Sequence, residues 1–502
     1  MKDQKAGGII ISYVNIVVNS LVNFFLIPFI IGVLTDESYS IYKVMQSFAA
    51  PLSMLTFGAS TIVARAIAKY NATDSDDRIE KENTYALSII VSGLFCFLII
   101  AIGFVMSLSI PSIYGKNYSE DMITVAIRLF RIYMINTALH IFTEPLRGCV
   151  IGNEKFVFRY ISQTIEYVLH FILVFLFLKL GYGVIALGMI NLSVTIFIFL
   201  LYFVYGTFVL GEKPVLHSWD KKILLGMVSY SAAILLQAFT NQINNNMDNM
   251  ILGAMITDKS IITMYSSALT IYSVYNSIIF VFAGVYLPEA TKLITRGATG
   301  EQLTDFVIKP GRVQAIIAVA VCGCFSVVGK DFISLWIGSQ YINTYYVTLM
   351  LIIPVSIPLV QSICVSIMDA KLKRIYRSII LVIMAVINFV LSIYLVKQIG
   401  FWGAAIGTMS SLLIGHGILM NIYYKKILKI NVIRMFRGIF KGIFLSGVLS
   451  AALCMPLVVL LNHTLVCFII KCLVFILVYA GFLLLFGLNQ EEKSILRNKL
   501  KR

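Results

Sequence analysis

Residues 224–253 read LLGMVSYSAAILLQAFTNQINNNMDNMILG, an apolar run interrupted by a dense polar insert. Gln237, Asn241, Gln242, Asn244, Asn245, Asn246, Asp248 and Asn249 fall within about four helical turns. Gln237, Asn241, Asn245 and Asp248 are spaced 4, 4 and 3 residues apart, so a helix carries them on one face. Amides this dense cannot face lipid, where nothing satisfies their hydrogen bonds. They line a wet cavity or bond to other helices. A soluble linker fits poorly, because apolar residues at 234–236 and 250–256 bracket the insert. On the first reading the stretch is the opening helix of the second half of a transporter, facing an aqueous lumen. On the second, its amides hold helices together.

The rest of the chain supports a membrane setting. Of 502 residues 59% are hydrophobic and 13% charged, and the mean hydropathy is +0.90. Apolar runs of twenty or more residues recur throughout, which predicts an all-α polytopic membrane protein. The eight cysteines are scattered, so neither a disulfide framework nor a metal site is expected. No phosphate-binding glycine loop with a lysine occurs, and no nucleophile elbow, so neither ATP use nor hydrolysis is indicated. No cofactor is expected.

Hydropathy predicts about fourteen transmembrane spans. Six lie near 8–33, 41–68, 84–110, 123–146, 157–178 and 184–206. Six more lie near 224–254, 262–287, 312–336, 345–368, 375–396 and 402–424, followed by a pair near 438–461 and 465–487. The chain thus divides into an N-terminal half (1–206), a linker (207–223), a C-terminal half (224–424) and a terminal helix pair with a basic tail (425–502). The net charge of +16 invites a nucleic-acid reading, but the charges alternate between loops. With the N-terminus inside, thirty-one Lys and Arg fall on inner segments, against Lys116, Lys179, Lys259 and Lys397 outside. That asymmetry is the positive-inside pattern and places both termini in the cytoplasm.

Short echoes recur between the halves. Leu34-Thr35-Asp36 matches Ile256-Thr257-Asp258, offset 222, and Gly181-Tyr182 matches Gly400-Phe401, offset 219. Six spans per repeat is an even number, so the two repeats are parallel, an arrangement that puts a substrate site between halves.

Several stretches carry a family resemblance: GGIIISYVNIVVNSLVNFFLIPFII at 7–31, VARAIAKY at 63–70, NNMDNMILG at 245–253, YLPEATKLI at 286–294 and FWGAAIGTMSSLLIGHGILMNIYY at 401–424. With the twelve-plus-two layout, the chain resembles the polysaccharide flippases of the multidrug/oligosaccharidyl-lipid/polysaccharide exporter superfamily. The resemblance implies a V-shaped bundle around a central lumen in a bacterial cytoplasmic membrane. It also implies a lipid-linked oligosaccharide substrate, moved outward for surface polysaccharides such as O-antigen or capsule. Polysaccharide polymerases and glycosyltransferases would be its partners, and no nucleic acid.

Ionisable residues within spans are the remaining candidates. Lys43 lies near the outer start of span 2, and Arg128 and Arg131 lie one turn apart in span 4. Pointing inward, they would bind phosphate; otherwise they snorkel to the outer headgroups. Gln237, Asn241, Asn245 and Asp248 would bind sugar. Glu166 and His170, four apart in span 5, form either a proton relay or a structural pair. His140, Glu144 and Arg147 read as a charged helix end beside Pro145, and Lys330 with Asp331 as an interfacial pair. An ion-coupled drug exporter on the same fold is the alternative, though it would want an acidic lumen. A membrane polymerase or ligase would want a larger outer loop than the dozen residues near 111–122.

Overall fold

The computed structural model describes residues 2–54, 58–72, 78–219, 221, 240, 244, 246–371, 374–490 and 492–494. Among them there is no β-strand. Contacts divide the chain into two units, Met1–Thr263 and Met264–Arg502.

The first unit contains α1 (Lys2–Val33), α2 (Asp36–Ala49), α3 (Ala59–Ala72), α4 (Arg78–Tyr114), α5 (Glu120–Gly152), α6 (Phe156–Lys179) and α7 (Val184–Val204). A further helix, α8, covers 246–255. Polar residues in the connecting turns satisfy exposed helix starts. Thr35 accepts from the Ser38 N–H and Ser119 from the Met122 N–H, each replacing a hydrogen bond that the first turn lacks. Helix α5 is the hub, packed on α2, α3, α4 and α7, while α1 lies along α6. Its approach to α3 depends on glycine. A Cβ on Gly148 would sit 2.4 Å from the Ser60 carbonyl oxygen, and one on Gly152 would sit 2.7 Å from Ile67. Small residues four apart let two backbones touch where lipid supplies no hydrophobic drive.

The helix α9 (Ser260–Val285) runs from the end of the first unit into the second. The second unit continues with α10 (Leu287–Thr295), α11 (Gly300–Trp336), α12 (Thr344–Val360), α13 (Ser362–Ala370), α14 (Arg374–Ile399) and α15 (Trp402–Leu412). Then come α16 (Met420–Tyr423), α17 (Val432–Phe440), α18 (Ile443–Cys454), α19 (Pro456–Leu460) and α20 (Leu465–Phe482). Helix α11 is its hub. The buried Arg312 guanidinium donates to Glu492 at 2.8 and 3.0 Å, to the Gly438 oxygen at 2.8 Å and to the Gly487 oxygen at 2.6 Å. One cation thus ties the start of the tail and the ends of α17 and α20 to α11.

Nine helices among the described residues are long and apolar enough to cross a membrane, and two bent pairs raise the number to eleven. Three of the about fourteen expected spans are not among these. The span near 41–68 is broken: Pro51 lies in a tight turn after α2, and Gly58, at φ 59°, precedes α3. Proline removes a helix donor, and glycine takes the left-handed backbone that ends helical continuity. The span near 224–254 lies mostly outside the described residues, as do several side chains of that near 262–287.

Helix starts keep the spacing of the sequence echoes. Arg78 and Gly300 are 222 apart, Glu120 and Thr344 224, Phe156 and Arg374 218, and Val184 and Trp402 218. The sixth helix of each set ends in a widened turn, at Tyr205–Val209 and Tyr424–Leu428, offset 219.

Candidate functional site

Helix α5 carries a polar stripe that extends well beyond the charged helix end expected at His140, Glu144 and Arg147. Tyr133, Asn136, His140, Glu144 and Arg147 are spaced 3, 4, 4 and 3 apart, so they share one face. Near its C-terminal end the Arg147 guanidinium reaches Glu144 at 3.2 Å and Glu166 of α6 at 3.7 Å. It also lies 5.8 Å from the ring of Tyr202 of α7. Arg147 Nη1 donates to His140 Nε2 at 3.2 Å, which leaves the neutral ring's proton on Nδ1. Buried polar atoms without a hydrogen-bond partner among the described residues follow the stripe: Asn136 Oδ1, His140 Nδ1 and Arg147 Nε; the Tyr133 hydroxyl lies beside Tyr42 and Asn191, and that of Tyr202 beside Ser162. A native fold leaves few such atoms, so their alignment marks a path suited to water or to a polar group in transit.

The other end of this path is cationic. Lys43 of α2 is half-buried, with Nζ 5.6 Å from the Tyr39 ring and 5.4 Å from the Tyr42 ring. Tyr42 in turn lies 6.4 Å from Tyr133 on the stripe. His170 of α6 lies beside Asn191 of α7 and within electrostatic range of Lys43. No carboxylate among the described residues forms an ion pair with Lys43. A cation held only by ring faces keeps its donors free for an incoming anion.

Other expected residues are placed as follows. Glu166 and His170 share the α6 face, but Glu166 turns to Arg147 whereas His170 turns to Asn191. A guanidinium offers the carboxylate a full charge and two parallel donors, more than a neutral imidazole does. Arg128 and Arg131 are exposed on α5. The Arg131 guanidinium rests 4.9 Å over Phe104 of α4 and its Nε donates to Ser107 at 3.1 Å. Phe104 is itself 53% exposed among apolar neighbours Val105 and Leu108. Gln237, Asn241 and Asn245 lie outside the described residues. Asp248 is buried, and next to it Asn249 donates to Ser47 of α2 at 3.2 Å. Gly253 packs α8 on Val44, where an added Cβ would meet Val44 at 2.6 Å. In this conformation the described end of the amide-rich helix holds α8 to the helix that carries Lys43.

One buried pair was missed from the sequence. Asp331 pairs with Lys471 of α20 at 2.7 Å, both side chains almost wholly buried, and also meets His463. Lys330, expected to pair with Asp331, instead sits 5.0 Å over the Tyr346 ring. The signal was available: Lys471 interrupts the apolar run VCFIIKCLVF and requires a partner inside the bundle. No group of three or more His, Cys, Asp or Glu among the described residues could hold a metal ion.

Comparisons with known proteins agree with this architecture. A family profile described as "Polysaccharide biosynthesis protein" matches residues 5–294. No curated protein sequence is matched. Among solved structures, a lipid II flippase, MurJ, in an inward closed conformation superposes with a TM-score of 0.74 at 15% identity, covering 99% of both chains. An inward-facing multidrug resistance MATE family transporter of the MOP superfamily gives 0.66 at 16% identity, covering 81% of this chain and 94% of that one. The eukaryotic MATE transporter AtDTX14 gives 0.56 at 13% identity, covering 87% and 98%. At these identities the likenesses establish the fold.

Proposed function

Because the chain belongs to the polysaccharide biosynthesis protein family and has the fold of flippases and transporters, we propose that it translocates an undecaprenyl-pyrophosphate-linked oligosaccharide repeat. Movement is from the cytoplasmic to the outer leaflet of a bacterial inner membrane, for surface polysaccharide biosynthesis. The observation that carries this reading is the unpaired, half-buried Lys43 at the end of a path of unpartnered buried polar atoms. Sugar hydroxyls need donors and acceptors, and a pyrophosphate needs a cation, while the polyprenyl tail stays in hydrocarbon.

On this reading Lys43 receives the phosphate, and Gln237, Asn241, Asn245 and Asp248 meet the sugars when the two halves rock between access states. Arg128 and Arg131, resting against an exposed apolar face, gather anionic headgroups at the outer surface. Arg147 is the cation between Glu144 on its own helix and Glu166 on α6, so proton uptake by Glu166 would remove the attraction that joins α5 to α6 there. That is a route for ion coupling alongside the membrane potential. A potential negative inside drives a headgroup of about two negative charges outward by roughly 4–5 kcal/mol per 100 mV. The drug-exporter alternative wants a site that attracts cations, and Lys43 repels them.

The test is arrival of labelled lipid-linked sugar at the outer leaflet of reconstituted vesicles, with and without an imposed potential. Lys43→Gln should slow arrival at least about tenfold, and Lys43→Arg should retain much of it, since the charge is kept. Full activity in Lys43→Gln, or potential-independent export of cationic dyes by the wild type, would refute the proposal.

A further inference from the structure

The stretch 425–441 reads KKILKINVIRMFRGIFK and lies where one span ends, at Leu428, and the bent pair Val432–Phe440 and Ile443–Val458 begins. It holds six cations, Lys425, Lys426, Lys429, Arg434, Arg437 and Lys441, all of them exposed. No Asp or Glu occurs in 370–490. Arg434 pairs with Asp305 at 2.7 Å, and the other five form no ion pair among the described residues. Basic loops are ordinary on one side of a membrane. Particular to this one is a helix that fixes its cations in place.

Helix α17 makes these charges a rigid surface. Met435 and Ile439, four apart, are wholly buried in a core with Leu303, Val307, Val360 and Ile363. Asn431 caps the helix by accepting from the Arg434 N–H at 3.0 Å, and its own N–H donates to the Thr304 hydroxyl at 3.0 Å. At the other end the Arg312 guanidinium donates to the Gly438 and Lys441 oxygens at 2.8 and 3.3 Å. With one side pinned to α11, the opposite side carries Ile433 and Arg437, which are also four apart.

Exposed apolar residues indicate what that side meets. Ile433 is 64% exposed, and Phe444, just past the 43° bend into α18, is 62% exposed. Between them stand Arg437 and Lys441. Ile443 opens an apolar helix, so Lys441 comes two residues before it and Arg437 at most about 9 Å before it. The headgroup layer is about 5–8 Å deep on each side. Both long side chains therefore reach phosphate oxygens while Ile433 and Phe444 enter the acyl boundary, the arrangement of an interfacial helix. An acidic soluble partner would match the charges but not the apolar pair. A zwitterionic headgroup would cover the pair but bring its own cation against Arg437.

We propose that α17 is a docking surface for the headgroups of anionic phospholipids, on the side that the charge pattern assigns to the cytoplasm. Arg437 and Lys441 hold the phosphate and Ile433 is the apolar anchor. The proposal does not depend on what the chain transports. Each cation beside an anionic surface favours it by about fivefold, so this pair should prefer phosphatidylglycerol over phosphatidylcholine by about an order of magnitude.

The test uses the full-length protein in nanodiscs containing a trace of phosphatidylglycerol or phosphatidylcholine with a photoactivatable group near the headgroup. Crosslinks mapped by peptide mass spectrometry should fall on 425–444 at least about fivefold more often from phosphatidylglycerol. The preference should shrink in 1 M salt, where charges are screened beyond about 3 Å. Arg437→Gln with Lys441→Gln should abolish it, whereas Arg437→Lys with Lys441→Arg should keep most of it. The salt titration on the wild type serves if the double Gln variant fails to fold. Equal yields from the two probes, or a preference that survives the loss of both charges, would overturn the proposal. Crosslinks that avoid 425–444 would show that this face is not in lipid, with the same result. An equal preference at Arg65 and Lys69 on α3 would make it a property of basic segments in general and also overturn the assignment to α17.

Discussion

The buried pair between Asp331 and Lys471 allows a quantitative test of how the second unit is held. The Lys471 Nζ is 2.7 Å from Asp331 Oδ2 and 3.0 Å from the Leu461 oxygen, and the two side chains are 0% and 1% exposed. Lys471→Met keeps the volume and removes the charge, which leaves Asp331 as a buried anion with only His463 beside it. Breaking one side of such a pair costs about 3–5 kcal/mol, whereas replacing both partners by apolar groups is close to neutral. The single substitution should therefore destabilise the protein by about 3–5 kcal/mol. Adding Asp331→Leu to the same chain should recover most of that loss. The coupling between the two sites should exceed about 2 kcal/mol, a factor of roughly 30 in the unfolding equilibrium. Unfolding can be followed in mixed micelles by the fluorescence of Trp336, which stacks on Phe332 one turn from Asp331. A single variant as stable as the wild type would show that water or a rearranged side chain replaces Lys471. A double variant no better than the single would show that packing, and not charge, holds α11 to α20.

Three further outcomes are expected. Arg147→Gln should strand Glu144 and Glu166 beside each other and lower stability by about 1–3 kcal/mol, discounted for their partial exposure; adding Glu166→Gln should return part of it in the same unfolding measurement. Gly148→Ala should cost about 1–3 kcal/mol, because its Cβ would stand 2.4 Å from the Ser60 oxygen; an unchanged unfolding midpoint would mean that α3 and α5 can part freely. Burial alone would raise the Glu492 carboxyl, but hydrogen bonds from Arg312 and the Asn489 N–H, with the charges of Arg312 and Lys309, hold it below the usual carboxylate value. A carboxyl lowered on folding stabilises above its unfolded value of about 4.3 and loses that contribution as acid protonates it. The tail should accordingly become protease-sensitive as pH falls through the range below about 4–5, and Glu492→Gln should be sensitive already at neutral pH.

The class, the positions of most spans, the charge asymmetry and the near-constant spacing between the two sets of helices are all legible in the amino-acid order. Those properties are local. A segment in lipid must satisfy its own backbone, so its length and apolarity announce it, and loop charges are read one loop at a time. At 41–68 hydropathy gives one run, whereas Pro51 in a tight turn and the left-handed Gly58 divide the described helices α2 and α3 within it. Which polar side chains meet is set by the packed bundle. Glu166 and His170 are four residues apart and share a face, yet Glu166 goes to Arg147 of α5 and His170 to Asn191 of α7. Asp331 passes over its neighbour Lys330 for Lys471, 140 residues away. A cleft that brings together Ser38, Val125, Phe177 and Met189 is assembled from four helices, and none of its apolar residues differs in sequence from one that faces lipid. In a bilayer every helix is apolar on most sides, so periodicity cannot say which side meets a neighbour. Close approach at glycines and a carboxylate's choice among cations are set by the assembled bundle.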